Sequence, residues 1–158
     1  MKKVIITLIL IALIVTSIIL IKNKEKDSKF TINISTEANS KTVNVGDEVI
    51  LTIKTNETII ASNFEINYDN EAFEVVGSET NNFNVTEKNG KIACIYADIT
   101  GEGTNEFKLK LTAVKETSGK ASFKMEDAKF RAEGQDESYT GDKISGIDKA
   151  FKLKVNNK

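Results

Sequence analysis

From Phe30 to Val155, apolar and polar residues alternate with a period of two, which is the spacing of a half-buried β-strand. Glycine and asparagine clusters separate the alternating segments at intervals of about 8–15 residues. The pattern predicts an all-β sandwich of about nine strands, a jelly roll or a Greek key. The predicted strands cover residues 30–35, 47–54, 61–68, 72–76, 83–85, 91–98, 106–114, 121–125 and 150–155, with a further short strand around Phe130.

In two of these segments the pattern predicts which side chains face the core and which face solvent. In residues 61–68 one face is apolar, with Phe64 and Ile66 pointing inward, and the other face is polar, with Asn63, Glu65 and Asn67. Residues 91–98 are apolar on both faces, which predicts a central strand covered on both sides. Residues 133–148 are polar and glycine-containing, so they are predicted to form a loop.

The amino terminus has a different pattern. After Lys2 and Lys3, a nearly unbroken apolar run begins at Val4 and ends at Ile21. As a helix, about 18 residues would extend roughly 27 Å, close to the thickness of the hydrocarbon core of a bilayer. The run predicts one transmembrane helix, a signal anchor over residues 1–21, followed by a charged linker over 22–29 and a domain over 30–158. The short basic head favours a single-pass cell-membrane protein with the domain outside the cell. The alternative is a signal peptide that is cleaved, leaving a secreted domain.

Composition excludes several classes of function. Sixteen basic and twenty-one acidic residues follow residue 29, and this net charge of −5 argues against nucleic acid as a partner. The chain contains no histidine, which removes histidine-based catalysis and imidazole metal sites. The one cysteine, Cys94, lies on an apolar strand and is predicted to be a small buried side chain. We therefore expect no enzyme activity, no cofactor and no metal site, since the acidic loop at 136–148 lacks the spacing of a calcium motif.

Three stretches, in order, resemble the cohesin domain family over about residues 31–156. They are residues 45–53, which contain Gly46-Asp47, residues 64–76, which contain Tyr68-Asp69-Asn70, and residues 92–114, which contain Gly101-Glu102-Gly103. The resemblance implies a nine-strand jelly roll related to carbohydrate-binding modules. It also implies a non-catalytic receptor for dockerin modules in extracellular polysaccharide-degrading assemblies. The family's proline at the end of the second stretch is replaced by Asn70.

The resemblance also implies a binding face. The family's polar pair falls on Ala61 and Asn63, its contact tyrosine falls near Thr86, and its acidic loop position falls on Asp98 or Glu102. Together with the polar face of residues 61–68, this gives a candidate partner-binding set: Asn63, Glu65, Asn67, Thr86, Asp98 and Glu102.

Two other interpretations of the same sandwich remain open. A carbohydrate-binding module needs exposed aromatic rings, and Tyr139 is the one tyrosine that the pattern places in an exposed loop. A structural surface or adhesin domain would bind neither a dockerin nor a polysaccharide.

Overall fold

The computed structural model describes residues 30–157. The predicted transmembrane segment, from Val4 to Ile21, and the linker 22–29 lie outside the described residues. Within residues 30–157, no helix has the length and apolar character needed to cross a membrane. The strands are β1 (Ile32–Ala38), β2 (Thr42–Asn44), β3 (Glu48–Asn67), β4 (Phe73–Ser78), β5 (Phe83–Lys88), β6 (Lys91–Ala97), β7 (Thr104–Ala113), β8 (Ala121–Ala132), β9 (Tyr139–Thr140), β10 (Ile144–Ser145) and β11 (Phe151–Asn156). The predicted all-β sandwich is confirmed, although the described part has eleven strands rather than about nine.

The twenty-residue strand β3 links the two layers of the sandwich. Its first half pairs with β1 and β7, and its second half pairs with β6 and β8. Strand β4 extends the first sheet beside β7, and β5 extends the second sheet beside β6. Along β3 the buried positions change from odd numbers, such as Ile53, to even numbers, such as Phe64. The pairing register shifts in the same region, so a bulge turns the strand from one layer into the other.

The sequence pattern divided both β3 and β8 into two strands. In β8 the buried positions change from Met125 to Ala128, and Asp127 between them has a positive φ of 47°. An extra residue at such a bulge reverses the inward face without ending the hydrogen-bonded ladder. The predicted breaks at 55–60 and 126–129 are therefore not ends of strands. They are places where the side of a continuous strand that faces the core changes.

Aromatic side chains fill the space between the layers. The Phe107 ring from β7 lies 5.9 Å from Phe64, 5.2 Å from Phe83 and 5.3 Å from Tyr96, measured between ring centroids. Phe107 is fully buried, and Phe64 and Ile66 are each 2 % exposed, which confirms their predicted inward direction. These contacts cross from one sheet to the other, so the core holds the second sheet in a fixed position.

Two predictions about burial are wrong. Residues 133–148 are not only loop, because they contain β9, a 3-10 turn at Gly141–Lys143 and β10, with Tyr139 and Ile144 buried. Strand β6 is central but is covered on one face only: Ile92, Cys94 and Tyr96 face the core, whereas Ile95 is 56 % exposed. Strands β2, β9 and β10 have two or three residues each, too few for a period-two pattern to identify them.

A candidate protein-binding face

The second sheet turns one face away from the core, and we call it the outer face. It is formed by the outward side chains of β5, β6, the second half of β3, and β8. One row across it contains Asn84, Ile95, Asn63 and Lys129, each paired with the next. The neighbouring row contains Thr86, Ala93, Glu65 and Glu126. Adjacent strands are about 4.8 Å apart, so each row spans roughly 14 Å.

Four of the predicted binding residues come together on this face. Asn63 is exposed, Thr86 is exposed, and Glu65 and Asn67 are partly exposed on the same side of β3. Thr86 and Glu65 lie in one row, separated only by the small side chain of Ala93. The sequence could place Asn63, Glu65 and Asn67 together by alternation, but only the pairing of β5 with β6 brings Thr86 to them.

Two of these polar groups already have partners. The Lys91 ammonium lies 2.9 Å from the Glu65 carboxylate, and this hydrogen bond raises the pKa of Lys91. The Asn67 side chain hydrogen-bonds to Glu126, which lowers the pKa of that carboxyl group, with a further contribution from Lys124. Because both pairs are exposed to water, they orient the side chains and contribute little to stability.

The remaining two predicted residues lie in the loop that follows Ala97. The Asp98 carboxylate accepts hydrogen bonds from the Thr100 amide (2.9 Å), the Thr100 hydroxyl (2.8 Å) and the Gly103 amide (3.0 Å). These bonds lower the pKa of Asp98, and the bond from the Thr100 amide makes the largest contribution. Asp98 therefore fixes the loop and has less capacity to contact a partner, whereas Glu102 is exposed.

The sequence pattern does not identify Ile95 as an exposed residue, because the apolar strand 91–98 predicts burial on both faces. Ile95 lies at the centre of the outer face with Asn84 on one side and Asn63 on the other, and it is 56 % exposed. The strict inward series Ile92, Cys94 and Tyr96 is the signal that could have identified it, since the residues between them must face outward. Ile99, in the Asp98 loop, is 81 % exposed.

The aromatic residues do not support a carbohydrate platform in the described part of the chain. Tyr139, predicted to be exposed, is 6 % exposed, and its hydroxyl hydrogen-bonds to the Gln135 side chain at 2.9 Å. Tyr96 is 5 % exposed, as its strand predicts. Tyr68 is half-buried and stacks on Phe123, and desolvation raises its pKa to about 12. Of the three tyrosines among residues 30–157, two are therefore buried, and the third has one ring face against Phe123.

The shifted pKa values of the thiol and of three carboxyl groups arise from burial and from hydrogen bonds. Burial raises the pKa of the Cys94 thiol to about 12, so this side chain is the small buried group predicted from its strand. The pKa values of Glu71, Asp98 and Glu126 lie below the ordinary values of their groups. A carboxyl group that acts as a general acid near neutral pH needs a pKa that is raised instead. In residues 30–157 no three acidic or thiol side chains converge in a way that could hold a metal ion.

The outer face thus combines ordered polar side chains with one exposed aliphatic residue, an arrangement that protein interfaces also use. The family model of the cohesin domain matches residues 32–128. The chain therefore belongs to the cohesin family, whose members are non-catalytic modules that bind dockerin modules.

Solved structures agree with this fold. The chain is similar to a type II cohesin domain from the cellulosome of Acetivibrio cellulolyticus, with a TM-score of 0.53 and 12% identity over 78% of this chain and 95% of that chain. It is similar to type II cohesin A11 from Bacteroides cellulosolvens, with a TM-score of 0.58 and 13% identity over 78% of this chain and 99% of that chain.

A third similar structure is the type II cohesin dyad from the adaptor ScaA scaffoldin of Acetivibrio cellulolyticus. Its TM-score is 0.58 and its identity 13%, over 78% of this chain and 48% of that chain. At these identities the likeness concerns the fold. A search of curated proteins gives no significant match.

Proposed function

We propose that this chain is a membrane-anchored cohesin module that binds a dockerin-type protein outside the cell, in an assembly that degrades polysaccharides. Family membership supports binding of a protein module, and the apolar run from Val4 to Ile21 supports the anchor. The proposal assigns the domain no catalytic step and no cofactor.

The observation that carries the proposal is the position of Ile95. An aliphatic side chain that is 56 % exposed contributes little to the core, yet it lies between Asn84 and Asn63 on an otherwise polar face. Protein interfaces typically combine a few apolar contacts at the centre with hydrogen-bonding groups around them. The outer face has this arrangement, with Ile95 as the apolar contact and Asn63, Glu65 and Thr86 as the surrounding donors and acceptors.

The partner contact can be tested by calorimetric titration of the full chain in detergent with a panel of dockerin modules. The double change Asn63→Ala with Glu65→Ala should weaken binding, because it removes two central hydrogen-bonding groups. Each truncation is expected to cost about 1–3 kcal/mol, or roughly 5- to 150-fold in affinity. Glu74→Ala with Asn157→Ala is a suitable control, since both residues are exposed and lie elsewhere.

Unchanged binding by a stably folded Asn63→Ala, Glu65→Ala variant would move the site to another surface. No binding to any dockerin module, combined with strong retention on an insoluble polysaccharide, would favour the carbohydrate-binding alternative. No binding in either assay would favour a structural surface domain.

The topology needs a separate experiment. Protease added to intact cells should digest the domain, because the proposed orientation places residues 30–158 outside. Protection until the cells are opened would refute this orientation. The mass of the mature chain would distinguish an uncleaved anchor from a cleaved signal peptide, which would remove the apolar run.

A further inference from the structure

Strand β8 presents two cations at the edge of the outer face. Lys129 and Arg131 are both exposed and point away from the core, since Ala128, Phe130 and Ala132 occupy the inward positions. Lys129 pairs across the sheet with Asn63, and Arg131 pairs with Ala61. Their separation of two residues places both side chains on one side of β8, roughly 7 Å apart along the strand.

The other cations of β6 and β8 on this face differ in having carboxylate partners. Lys91 lies 2.9 Å from Glu65, and Lys124 lies 3.4 Å from Glu126. Within residues 30–157, neither Lys129 nor Arg131 forms an ion pair with a carboxylate. Arg131 donates from Nε to the Gln135 carbonyl at 3.4 Å, and this contact leaves its two terminal nitrogens available.

The two cations line a shallow cleft that is open to solvent. It has a volume of about 330 Å³ and is lined by Ala61, Ser62, Asn63, Lys129, Arg131 and Ser138. Its polar lining therefore includes an ammonium group, a guanidinium group, the Asn63 amide and the Ser138 hydroxyl. All four can donate a hydrogen bond, which is the chemistry that a carboxylate requires.

We propose that this cleft receives a carboxylate side chain of the protein partner and thereby fixes the orientation in which the partner docks. This inference rests on the proposed function, because it concerns the same outer face. A guanidinium fork beside an ammonium group suits the two oxygens of a carboxylate. The domain carries a net charge of −5, so its average long-range field repels an acidic segment. On the outer face, the cleft offers such a segment a favourable position, and complementary charge of this kind fixes the orientation of a docked partner.

The sheet also fixes where the carboxylate lies in relation to the apolar contact. Lys129 and Ile95 flank Asn63 in the same row, on strands to either side of it. Two strand spacings separate them by about 10 Å. A partner helix that crosses the strands would carry its acidic residue about seven positions from the residue that meets Ile95, at a rise of 1.5 Å per residue.

The first test uses a probe that does not depend on dockerin binding. The full chain, labelled with ¹⁵N in uncharged detergent micelles, is titrated at low salt with acetyl-tetraglutamate amide, and acetyl-tetraglutamine amide serves as the neutral probe. We expect the glutamate peptide alone to shift the amide resonances of Asn63, Lys129, Arg131 and Ser138. The double change Lys129→Gln with Arg131→Gln should abolish these shifts, and the control Lys152→Gln with Lys154→Gln on β11 should keep them. Shifts that survive the first variant, or that appear equally around Lys152 and Lys154, would overturn the assignment.

The second test uses a dockerin module that binds the wild-type chain. Replacing Lys129 and Arg131 by glutamine should weaken binding about 10-fold and reduce its salt dependence, and replacing both by glutamate should weaken it further. Equal affinity and equal salt dependence would overturn the proposal.

If no dockerin module binds the wild type, the proposed function fails. The peptide titration alone then decides whether the cleft binds a carboxylate. A third arm uses polygalacturonate as the probe. Tighter binding of this acidic polysaccharide than of the peptide, lost in the glutamine variant, would overturn a protein partner in favour of a glycan.

Discussion

Ile95 provides the sharpest test of the outer face, because its two possible roles predict opposite results. Ile95→Thr keeps the β-branched shape that suits a strand and replaces apolar surface with a hydroxyl group. Since the side chain is 56 % exposed, the folded domain should lose less than about 0.5 kcal/mol of unfolding free energy. Partner binding should change much more if Ile95 is buried on docking.

The size of that change follows from the exposed fraction. Complete burial of an isoleucine side chain is worth about 1.5–3 kcal/mol. Docking can bury at most the exposed 56 %, which is about 0.8–1.7 kcal/mol, or roughly 4- to 17-fold in affinity. Calorimetric titration of the full chain with a dockerin module that binds the wild type measures this change, and thermal unfolding measures the stability.

Val76 supplies a matched control. It is also 56 % exposed and β-branched, but it lies at the bulge of β4, in the first sheet. Val76→Thr should leave both binding and stability near the wild-type values. If Ile95→Thr binds as the wild type does, or if the two variants lose affinity equally, then Ile95 is not the apolar contact of the outer face.

Three further substitutions test the core and the Asp98 loop. Phe107→Ala should lower the unfolding free energy by about 3–5 kcal/mol, seen as a lower urea midpoint, because Phe107 is fully buried among aromatic rings; a loss below 1 kcal/mol would contradict its central position. Within the described residues the buried Ser62 hydroxyl has no hydrogen-bond partner, so Ser62→Ala should leave the urea midpoint unchanged or raise it, and a clear decrease would indicate a missed partner. The pKa of Asp98 lies below its ordinary value of 3.8, so its carboxylate stabilises the loop above that pH, and the stabilisation is lost as the pH falls through the lowered pKa. Hydrogen exchange of the Gly103 amide should therefore be faster in Asp98→Asn than in the wild type at pH 6, with the difference disappearing in acid; equal rates at pH 6 would show that the charge is not needed.

Local periodicity predicted the class of the domain and the direction of many side chains. The alternation of Phe64 and Ile66 with Asn63 and Glu65 depends only on the two-residue repeat of a strand, which acts at short range. The inward position of Cys94 follows from the same repeat. The ordered stretches near 45–53, 64–76 and 92–114 were enough to indicate the family that the match over residues 32–128 confirms.

Tertiary structure decided what depends on pairing partners. Strand β3 is hydrogen-bonded to β6, β7 and β8, and these bonds keep β3 and β8 continuous. A switch in the buried side of a strand, which looks like a break in the sequence, is therefore a bulge in the sheet. Tyr139 is buried because β9 pairs with β8, a contact that no local pattern encodes.

The candidate site divides in the same way. The sequence by itself placed Asn63, Glu65 and Asn67 on one polar face, because alternation along one strand is a local property. The family resemblance added Thr86 to this set, and the sheet register shows how it comes to lie beside them. Only the register exposed Ile95 at the centre and brought Lys129 and Arg131 to the edge. Residues that are far apart in sequence meet through cross-strand pairing, and this depends on the packing of the whole core rather than on the composition of any one segment.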